Sequence, residues 1–317
     1  MNEKTKNIKI VFMGSADFSV PILLELAEKF TVQAVVTEID KPAGRGSEME
    51  SPPTKKLALE LGLPCHQPTT IVKNQEFNQL IASYNPDVII VAAYGKILPP
   101  EILNLPKNGC LNVHPSLLPK YRGASPIQTA LLNGEKKSGV SIILMDQRMD
   151  TGDIITQEEM NIEPEDDYVS LSKKMSVMSA QILADILEKY INNEVKLKIQ
   201  HDSQAIYTKK ISKYDGRIDW QKKSVDVYNQ IRAYADWPGS YTFFDKKKLD
   251  IIKARPVELD QGENFQIGQV VSDGQLICVR CSEGFLELQS IKLEGKKETL
   301  IKDFINGYQK FVGTLLG

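Results

Sequence analysis

The chain has 317 residues, enough for two domains of ordinary size, and its 42% hydrophobic and 25% charged residues are typical of a soluble globular protein. A net charge of −2 excludes a generally basic nucleic-acid-binding protein, although local basic patches are still allowed. No apolar run reaches the roughly 18 residues that a membrane-spanning helix needs. The N-terminus shows no signal-peptide pattern, so we expect a cytoplasmic protein that contacts no membrane.

The first part of the chain alternates strand-like and helix-like segments. Strand-like runs rich in branched residues occupy 8–14, 31–37, 86–95 and 110–116. Nearly continuous apolar runs separated by helices predict an α/β domain whose parallel sheet is buried on both faces. Two more runs, over 139–146 and 153–162, follow each other closely, which favours an antiparallel extension of that sheet.

A long helix is predicted over 168–191. Its apolar residues recur at three- and four-residue spacing on one face, which we interpret as core: Leu171, Met175, Met178, Ile182 and Ile186. Beyond about residue 192 a polar connector begins, and after one more helical segment the chain consists of short strand-like runs with Gly-containing turns. This pattern of short strands and Gly-containing turns predicts a small barrel or sandwich. We therefore predict domains over 1–191 and 207–317, joined by a linker over 192–206.

The four cysteines do not form a disulfide framework in a chain of this length. Cys278 and Cys281 make one C-x-x-C, but neither a second pair nor a nearby His completes a zinc site. Both lie in a strand-like run, so we predict that they pack in the core and that no metal is bound.

Ligands of open parallel sheets bind beyond the carboxyl ends of the strands. Gly14 follows the first predicted strand, but the next residues do not continue a G-x-G-x-x-G pattern, so a dinucleotide site is not expected. Asn112 and His114 close the fourth strand and, being two apart, point to the same face. They supply a donor for a developing oxyanion and an acid/base group, while a purely structural histidine is the equal alternative.

A third group is needed to orient or charge the imidazole. Asp150 and Asp153 lie in the turn-like segment MDTGD, where aspartates are ordinarily turn formers. Composition alone does not choose between a turn-forming and a catalytic role for Asp150.

The string Asn112-Val113-His114-Pro115-Ser116-Leu117-Leu118-Pro119, followed by Tyr121-Arg122-Gly123 and by Asp150-Thr151-Gly152-Asp153, resembles the formyltransferase family that uses 10-formyltetrahydrofolate. The resemblance spans essentially the whole chain. It implies a Rossmann-like, mostly parallel formyltransferase domain followed by a small OB-type β-barrel. Further strings resemble the branch of the family that formylates methionyl-tRNA: FMGSADFSVPIL (12–23), KPAGRG (41–46), AAYGKILP (92–99), RIDW (217–220) and AYADWPGSY (233–241).

The resemblance also implies roles for individual residues. Asn112, His114 and Asp150 correspond to the catalytic trio, with Asp150 favouring the protonated imidazole by its charge. 10-Formyltetrahydrofolate is expected as a cosubstrate, with no permanently bound cofactor and no metal. The residues implied to hold the folate are Ser116, Leu117, Leu118 and Pro119, with Tyr94, Gly95, Ile97 and Leu98 on the pterin side.

Initiator methionyl-tRNA is the implied acceptor, and a monomer is expected. The resemblance assigns tRNA contacts to the C-terminal barrel and to the loop containing Lys41 and Arg45, with Arg45 at its tip. Flanking glycines leave this loop free to adapt, and a basic side chain there suits a phosphate or groove contact. A solvated turn is the alternative. Glu48 and Glu50 stand where the family often has lysines, which reduces the expected electrostatic share of tRNA affinity.

Two other functions fit parts of the sequence. A formyltransferase acting on a sugar-nucleotide amine or a glycinamide nucleotide, or a folate hydrolase, would share the first domain. Such enzymes need neither the loop over 41–46 nor the barrel. A non-catalytic RNA-binding protein would use the barrel, but it has no reason to keep the trio together.

Overall fold

The computed structural model describes residues 7–43, 48–259 and 265–317, and these form two compact units. The first unit comprises the described residues up to Gly123 together with Lys137–Asn161 and Ser172–Thr208. The second comprises Ala124–Lys136, Ile162–Leu171 and the described residues after Thr208.

The first unit is an α/β structure. Its strands are β1 (Lys9–Gly14), β2 (Thr31–Val36), β3 (Lys41–Ala43), β4 (Glu48–Glu50), β5 (Cys65–His66), β6 (Val88–Ala92), β7 (Cys110–His114), β8 (Arg122–Gly123), β9 (Lys137–Leu144), β10 (Ile154–Asn161) and β11 (Tyr207–Thr208). Its helices are α1 (Val20–Lys29), α2 (Pro53–Glu60), α3 (Gln75–Ser83) and α4 (Pro100–Leu103). Helix α5 (Pro126–Leu132) belongs to the second unit, and α6 (Tyr168–Ile191) has residues in both.

Seven strands of the first unit form one sheet, in the order β10-β9-β7-β6-β1-β2-β5. The strands from β7 to β5 in this order are parallel, and β9 is antiparallel to both β7 and β10. This confirms the predicted mostly parallel sheet with its antiparallel extension. Every side chain of β6 is buried, as expected for a strand covered on both faces. Because β1, β6 and β7 are parallel neighbours, their carboxyl ends lie at the same edge of the sheet.

Helix α6 has the predicted bounds, but the predicted apolar stripe is correct only in its first half. Met175 is fully buried, whereas Met178 and Ile182 are half-buried. Ser179 and Leu183 are fully buried instead. The Ser179 hydroxyl donates to the carbonyl oxygen of Met175 at 2.7 Å, so its burial costs little, and a pattern based on hydrophobicity misses it.

The second unit is built around a curled antiparallel sheet. Its strands are β12 (Ser240–Phe244), β13 (Lys247–Val257), β14 (Val270–Ser272), β15 (Ile277–Arg280), β16 (Phe285–Leu293) and β17 (Thr299–Leu300), with helices α7 (Ser224–Ala233) and α8 (Ile301–Gly307). The strand order is β12-β13-β16-β15-β14, and β17 pairs with β16. The sheet is a half-barrel, which confirms the predicted class of this region. Cys278 and Cys281 are free and fully buried, as predicted for core residues.

Two stretches from the earlier part of the sequence belong to the second unit. Helix α5 packs against α7, and the Ser125 hydroxyl donates to the carbonyl oxygen of Lys209 at 2.7 Å. The Tyr228 hydroxyl donates to the carbonyl oxygen of Pro164 at 2.9 Å. The second unit therefore draws on residues 124–136 and 162–171 in addition to the C-terminal region.

Candidate active site

The end of β7 and the loop between β9 and β10 bring the three predicted catalytic residues together. The Asn112 side-chain amide donates to Asp150 Oδ1 at 3.2 Å, and Asp150 Oδ2 lies 3.7 Å from His114 Nδ1. The side chains of His114 and Asp150 are only 5% and 13% exposed, so solvent screens their interaction weakly. One carboxylate therefore contacts both β7 side chains at a largely water-excluded site.

The His114 ring is fixed by a backbone carbonyl. Its Nε2 atom lies 2.9 Å from the carbonyl oxygen of Tyr121, which can only accept a hydrogen bond. Nε2 therefore carries a proton in either charge state, and Nδ1 is the ring atom that can exchange one. The shorter contact is to Tyr121, so this carbonyl orients the ring and the nearby Asp150 supplies charge.

The backbone of Asp150 is in the left-handed region, with φ of 55°. Such a conformation is uncommon for a residue other than glycine and needs support from its surroundings. Part of that support is the Gly123 backbone N–H, which donates to Asp150 Oδ2 at 2.8 Å. The carboxylate thus has a defined direction.

The neighbours of Asp150 explain why the pattern D-x-G-D forms this loop. The Thr151 hydroxyl lies 2.7 and 2.8 Å from the two carboxylate oxygens of Asp146. A Cβ atom at Gly152 would lie 1.7 Å from the carbonyl oxygen of Leu144, so no larger residue fits there. Asp153 accepts the Leu144 backbone N–H with its carbonyl oxygen at 2.9 Å, as expected of a residue that ends the turn.

Two buried polar residues beside this loop were given no role from the sequence. Gln200 donates from Nε2 to the carbonyl oxygens of Asp150 and Gly152, at 2.9 and 2.7 Å. Arg122 donates from Nε to Gln200 Oε1 at 3.1 Å. Gln200 lies in a stretch that reads as a polar connector, and the string Tyr121-Arg122-Gly123 was the only signal pointing to Arg122.

The predicted folate segment Ser116–Pro119 forms a turn directly after β7. The Ser116 hydroxyl donates to the Lys120 carbonyl oxygen at 2.6 Å, and Ser116 and Leu118 are buried. Leu117 and Pro119 are half-buried. The buried side chains of Ser116 and Leu118 thus shape the turn. The backbone and the half-buried side chains of Leu117 and Pro119 are left to contact a ligand.

The predicted pterin-side residues form the turn after β6. Tyr94 and Leu98 are buried, at 2% and 3% exposure, whereas Ile97 is 73% exposed and Gly95 has a φ of 86°. Burial, aided by the charge of Glu38, raises the pKa of the Tyr94 phenol. The Tyr94 hydroxyl is buried without a hydrogen-bond partner among the described residues. A buried unpaired hydroxyl is a group that a bound ligand can satisfy.

The predicted tRNA-contacting loop is only partly described. Lys41 lies on β3, which pairs with β4, and its Nζ is 3.1 Å from Glu38 Oε2. Its side chain is 66% exposed and available to a partner. Arg45 lies outside the described residues.

Two absences hold for the parts of the chain that the structure describes. No group of three or more His, Cys, Asp or Glu side chains there lies close enough together to hold a metal ion. No helix there is long and apolar enough to cross a bilayer.

Comparison with protein families gives two matches, which follow each other along the chain. Residues 7–187 match a family described as "Formyl transferase", and residues 210–309 match "Formyl transferase, C-terminal domain". The chain therefore belongs to the formyl transferase family.

Two curated relatives that match nearly the full length of this chain carry the same name. The methionyl-tRNA formyltransferase of Caldicellulosiruptor saccharolyticus is 43% identical over 310 residues, which cover 97% of this chain and 99% of the relative. The methionyl-tRNA formyltransferase of Caldanaerobacter subterraneus subsp. tengcongensis is also 43% identical over 310 residues, with 98% and 100% coverage.

Solved structures share the fold at much lower identity. The N-formyltransferase from Helicobacter canadensis, in complex with folinic acid and dTDP-3-aminofucose, is 21% identical with a TM-score of 0.66, covering 89% of this chain and 99% of its own. HypX from Aquifex aeolicus, in complex with tetrahydrofolic acid, is 17% identical with a TM-score of 0.65. The match covers 96% of this chain and 48% of HypX.

Proposed function

We propose that this protein transfers the formyl group of 10-formyltetrahydrofolate to the α-amino group of methionyl initiator tRNA, giving formylmethionyl-tRNA for translation initiation. The observation that carries the proposal is the 43% identity to methionyl-tRNA formyltransferases over nearly the full length of both chains. The juxtaposition of Asn112, His114 and Asp150 supports it, because the three side chains combine oxyanion stabilisation with proton transfer.

Asn112 and His114 act on the formyl oxygen. This oxygen gains negative charge when the methionyl amine adds to the formyl carbon. One N–H of the Asn112 amide is bound to Asp150, which leaves the other for the oxygen. The protonated His114 ring offers a second, charged donor through Nδ1. Losing one such donor typically raises the barrier by about 3 kcal/mol.

Asp150 supplies the negative charge that stabilises the protonated His114 ring. Its carboxylate lies 3.7 Å from His114 Nδ1 and attracts the imidazolium across a poorly solvated gap. It also accepts the Asn112 amide and so fixes the direction of that donor. We assign to Asp150 the relay of the proton that leaves the amine, directly or through water, toward the folate nitrogen that departs.

The family match supports a formyl-folate donor, and two turns beside the trio suit it. We assign the pterin side to Tyr94–Leu98, where the exposed apolar Ile97 can cover an aromatic ring and the buried Tyr94 hydroxyl is unpaired. The turn Ser116–Pro119 is assigned to the same ligand. The folate is a cosubstrate that arrives and leaves in each turnover.

We assign the tRNA to the half-barrel and to the loop that contains Lys41 and Arg45. The exposed Lys41 ammonium supports this assignment, although Glu38 neutralises part of its charge. Residues 210–309 match the C-terminal domain of the family, which supports a binding role for the half-barrel.

Formyl transfer to two acceptors tests the proposal. The purified protein is given 10-formyltetrahydrofolate carrying a labelled formyl group, with either methionyl initiator tRNA or an amino-sugar nucleotide. We expect label on methionyl-tRNA only. The amino-sugar alternative is represented among the neighbours by structures that are 21–22% identical to this chain. Label on the amino sugar alone would replace the proposed acceptor.

A further inference from the structure

The predicted linker over 192–206 belongs to the first unit, and it pairs with other parts of that unit near its middle and directly after its end. Lys198 exchanges two backbone hydrogen bonds with Ile154, at 2.8 and 2.9 Å, beside the start of β10. Further along, β11 pairs with β8, where Tyr207 lies opposite Arg122. Gln200, between these two pairings, is 8% exposed. A polar side chain in a polar connector is thus buried at a defined place.

The hydrogen bonds of Gln200 leave no ambiguity in its amide orientation. The carbonyl oxygens of Asp150 and Gly152 can only accept, so they bind the amide nitrogen. The Arg122 guanidinium can only donate, so it binds the amide oxygen. Both side-chain N–H groups are therefore directed at the backbone of the loop that carries Asp150.

Arg122 is itself held in place. Its side chain is completely buried, and Nη1 donates to Asp202 at 2.8 Å and to the Tyr207 hydroxyl at 3.1 Å. These contacts fix the guanidinium plane and leave Nε for Gln200. The chain of contacts therefore runs from Asp202 and Tyr207 through Arg122 and Gln200 to the loop.

The carbonyls that Gln200 holds flank Thr151, and one of them belongs to Asp150 itself. Since Asp150 has a left-handed backbone, the peptide that follows it must be held for its carboxylate to keep its direction. We propose that Gln200 is a positioning residue for Asp150 in formyl transfer, with Arg122 setting the Gln200 amide. This inference rests on the proposed function. Gln200 acts through Asp150, since its hydrogen bonds go to the loop and to Arg122.

Gln200→Glu removes the two donated hydrogen bonds and sets a carboxylate against the same carbonyl oxygens. A carboxylate still accepts from Arg122 but cannot donate to the loop carbonyls. We expect kcat for formyl transfer to fall about tenfold or more, because small misplacements of a catalytic group are costly, while KM for both substrates changes less than about twofold. Gln204→Glu is the matched control. It adds the same charge to the same segment at an exposed position, and wild-type kinetics are expected.

A double-mutant cycle separates positioning from general damage. If Gln200 acts through Asp150, adding Gln200→Glu to an Asp150→Asn enzyme lowers kcat less than about twofold further. An equal loss in both backgrounds overturns the inference, and so does wild-type kcat in Gln200→Glu. Thermal unfolding establishes that each variant is folded. Where Gln200→Glu is not, the uncharged Gln200→Met variant takes its place in the same cycle.

The wild-type enzyme in the same assay keeps the two proposals apart. A wild-type preparation that transfers no formyl group to methionyl-tRNA contradicts the proposed function. An active wild-type enzyme whose Gln200 variants are equally fast contradicts only the role of Gln200.

Discussion

The loop between β9 and β10 and the hairpin of β3 and β4 are two regions of the first unit that are held in different ways. The β9–β10 loop is closed by partly or fully buried hydrogen bonds, from Thr151 to Asp146 and from Gln200 to two backbone carbonyls. The hairpin is tied to its surroundings by ion pairs with exposed lysines, such as Lys41 with Glu38.

The buried hydrogen bonds of the loop and the exposed ion pairs of the hairpin differ in strength. Surface ion pairs contribute about 0–1 kcal/mol each, whereas leaving a buried polar group unpaired costs about 1–3 kcal/mol. The region that must aim a carboxylate at an imidazole is thus held firmly. The ion pairs of the region assigned to a large partner contribute little to holding it in place. Substitutions in the first region should therefore act on the chemical step, and substitutions in the second on tRNA use.

The largest effect is expected at the trio. His114→Ala should lower kcat about a hundredfold or more, because the charged donor and the proton-transfer group are lost together. Steady-state formyl transfer measures it, with circular dichroism to establish folding. His201→Ala, at an exposed histidine, is the control. A folded His114→Ala enzyme with near-normal turnover would end the catalytic assignment.

The second-largest decrease in kcat is expected for Asp150→Asn. The amide keeps the shape of the carboxylate but removes the charge beside His114, so kcat should fall about tenfold to a hundredfold. Asp153→Asn in the same loop should be much milder, because the backbone carbonyl of Asp153 makes its contact in the turn. A larger defect at Asp153 than at Asp150 would exchange the two roles.

Thr151→Val tests whether closure of the catalytic loop matters apart from its charges. The substitution preserves the shape of the side chain but removes the hydroxyl that binds Asp146. We expect a several-fold lower kcat and a loss of about 1–2 kcal/mol in the free energy of unfolding. Urea unfolding and kinetics measure the two effects. Thr69→Val at an exposed site is the control, and equal behaviour of both variants would argue against loop closure.

Arg45→Ala should have the smallest effect on the chemistry. We expect a lower kcat/KM for methionyl-tRNA and an unchanged KM for the folate. Because Glu48 and Glu50 reduce the electrostatic contribution, the main expected change is weaker discrimination between initiator and elongator tRNA. Kinetics with both tRNAs at two salt concentrations test this. A uniform loss with a shallower salt dependence would indicate a phosphate contact, and wild-type kinetics would indicate a solvated turn.

The sequence predicted those features that depend on local periodicity. Asn112 and His114 share a face because side chains alternate along a strand, and the apolar runs predicted the parallel sheet. Asp150 could be chosen over Asp153 only through the family resemblance, since both are in a turn. The roles of Lys41 and Arg45 remain predictions.

Gln200 shows why the remainder of the site could not be predicted. Its function depends on a contact with Arg122, which lies 78 residues away in the chain. Its burial depends on the pairing of β11 with β8, two short strands without an apolar pattern. A pattern based on hydrophobicity contains no information about either contact.

The second unit is built from three separate stretches of the chain, and this limits how the protein can be recombined with its relatives. The half-barrel is joined to residues 124–136 and 162–171 by helix packing and by hydrogen bonds such as Arg232 to the Asp166 carbonyl oxygen at 3.0 Å. A chimera that exchanged only the residues after Thr208 would set a foreign α7 against this chain's α5. The second unit can be transplanted intact only as three separate stretches of sequence. Because residues of the first unit lie between these stretches in the chain, the two units cannot be exchanged independently by a single crossover.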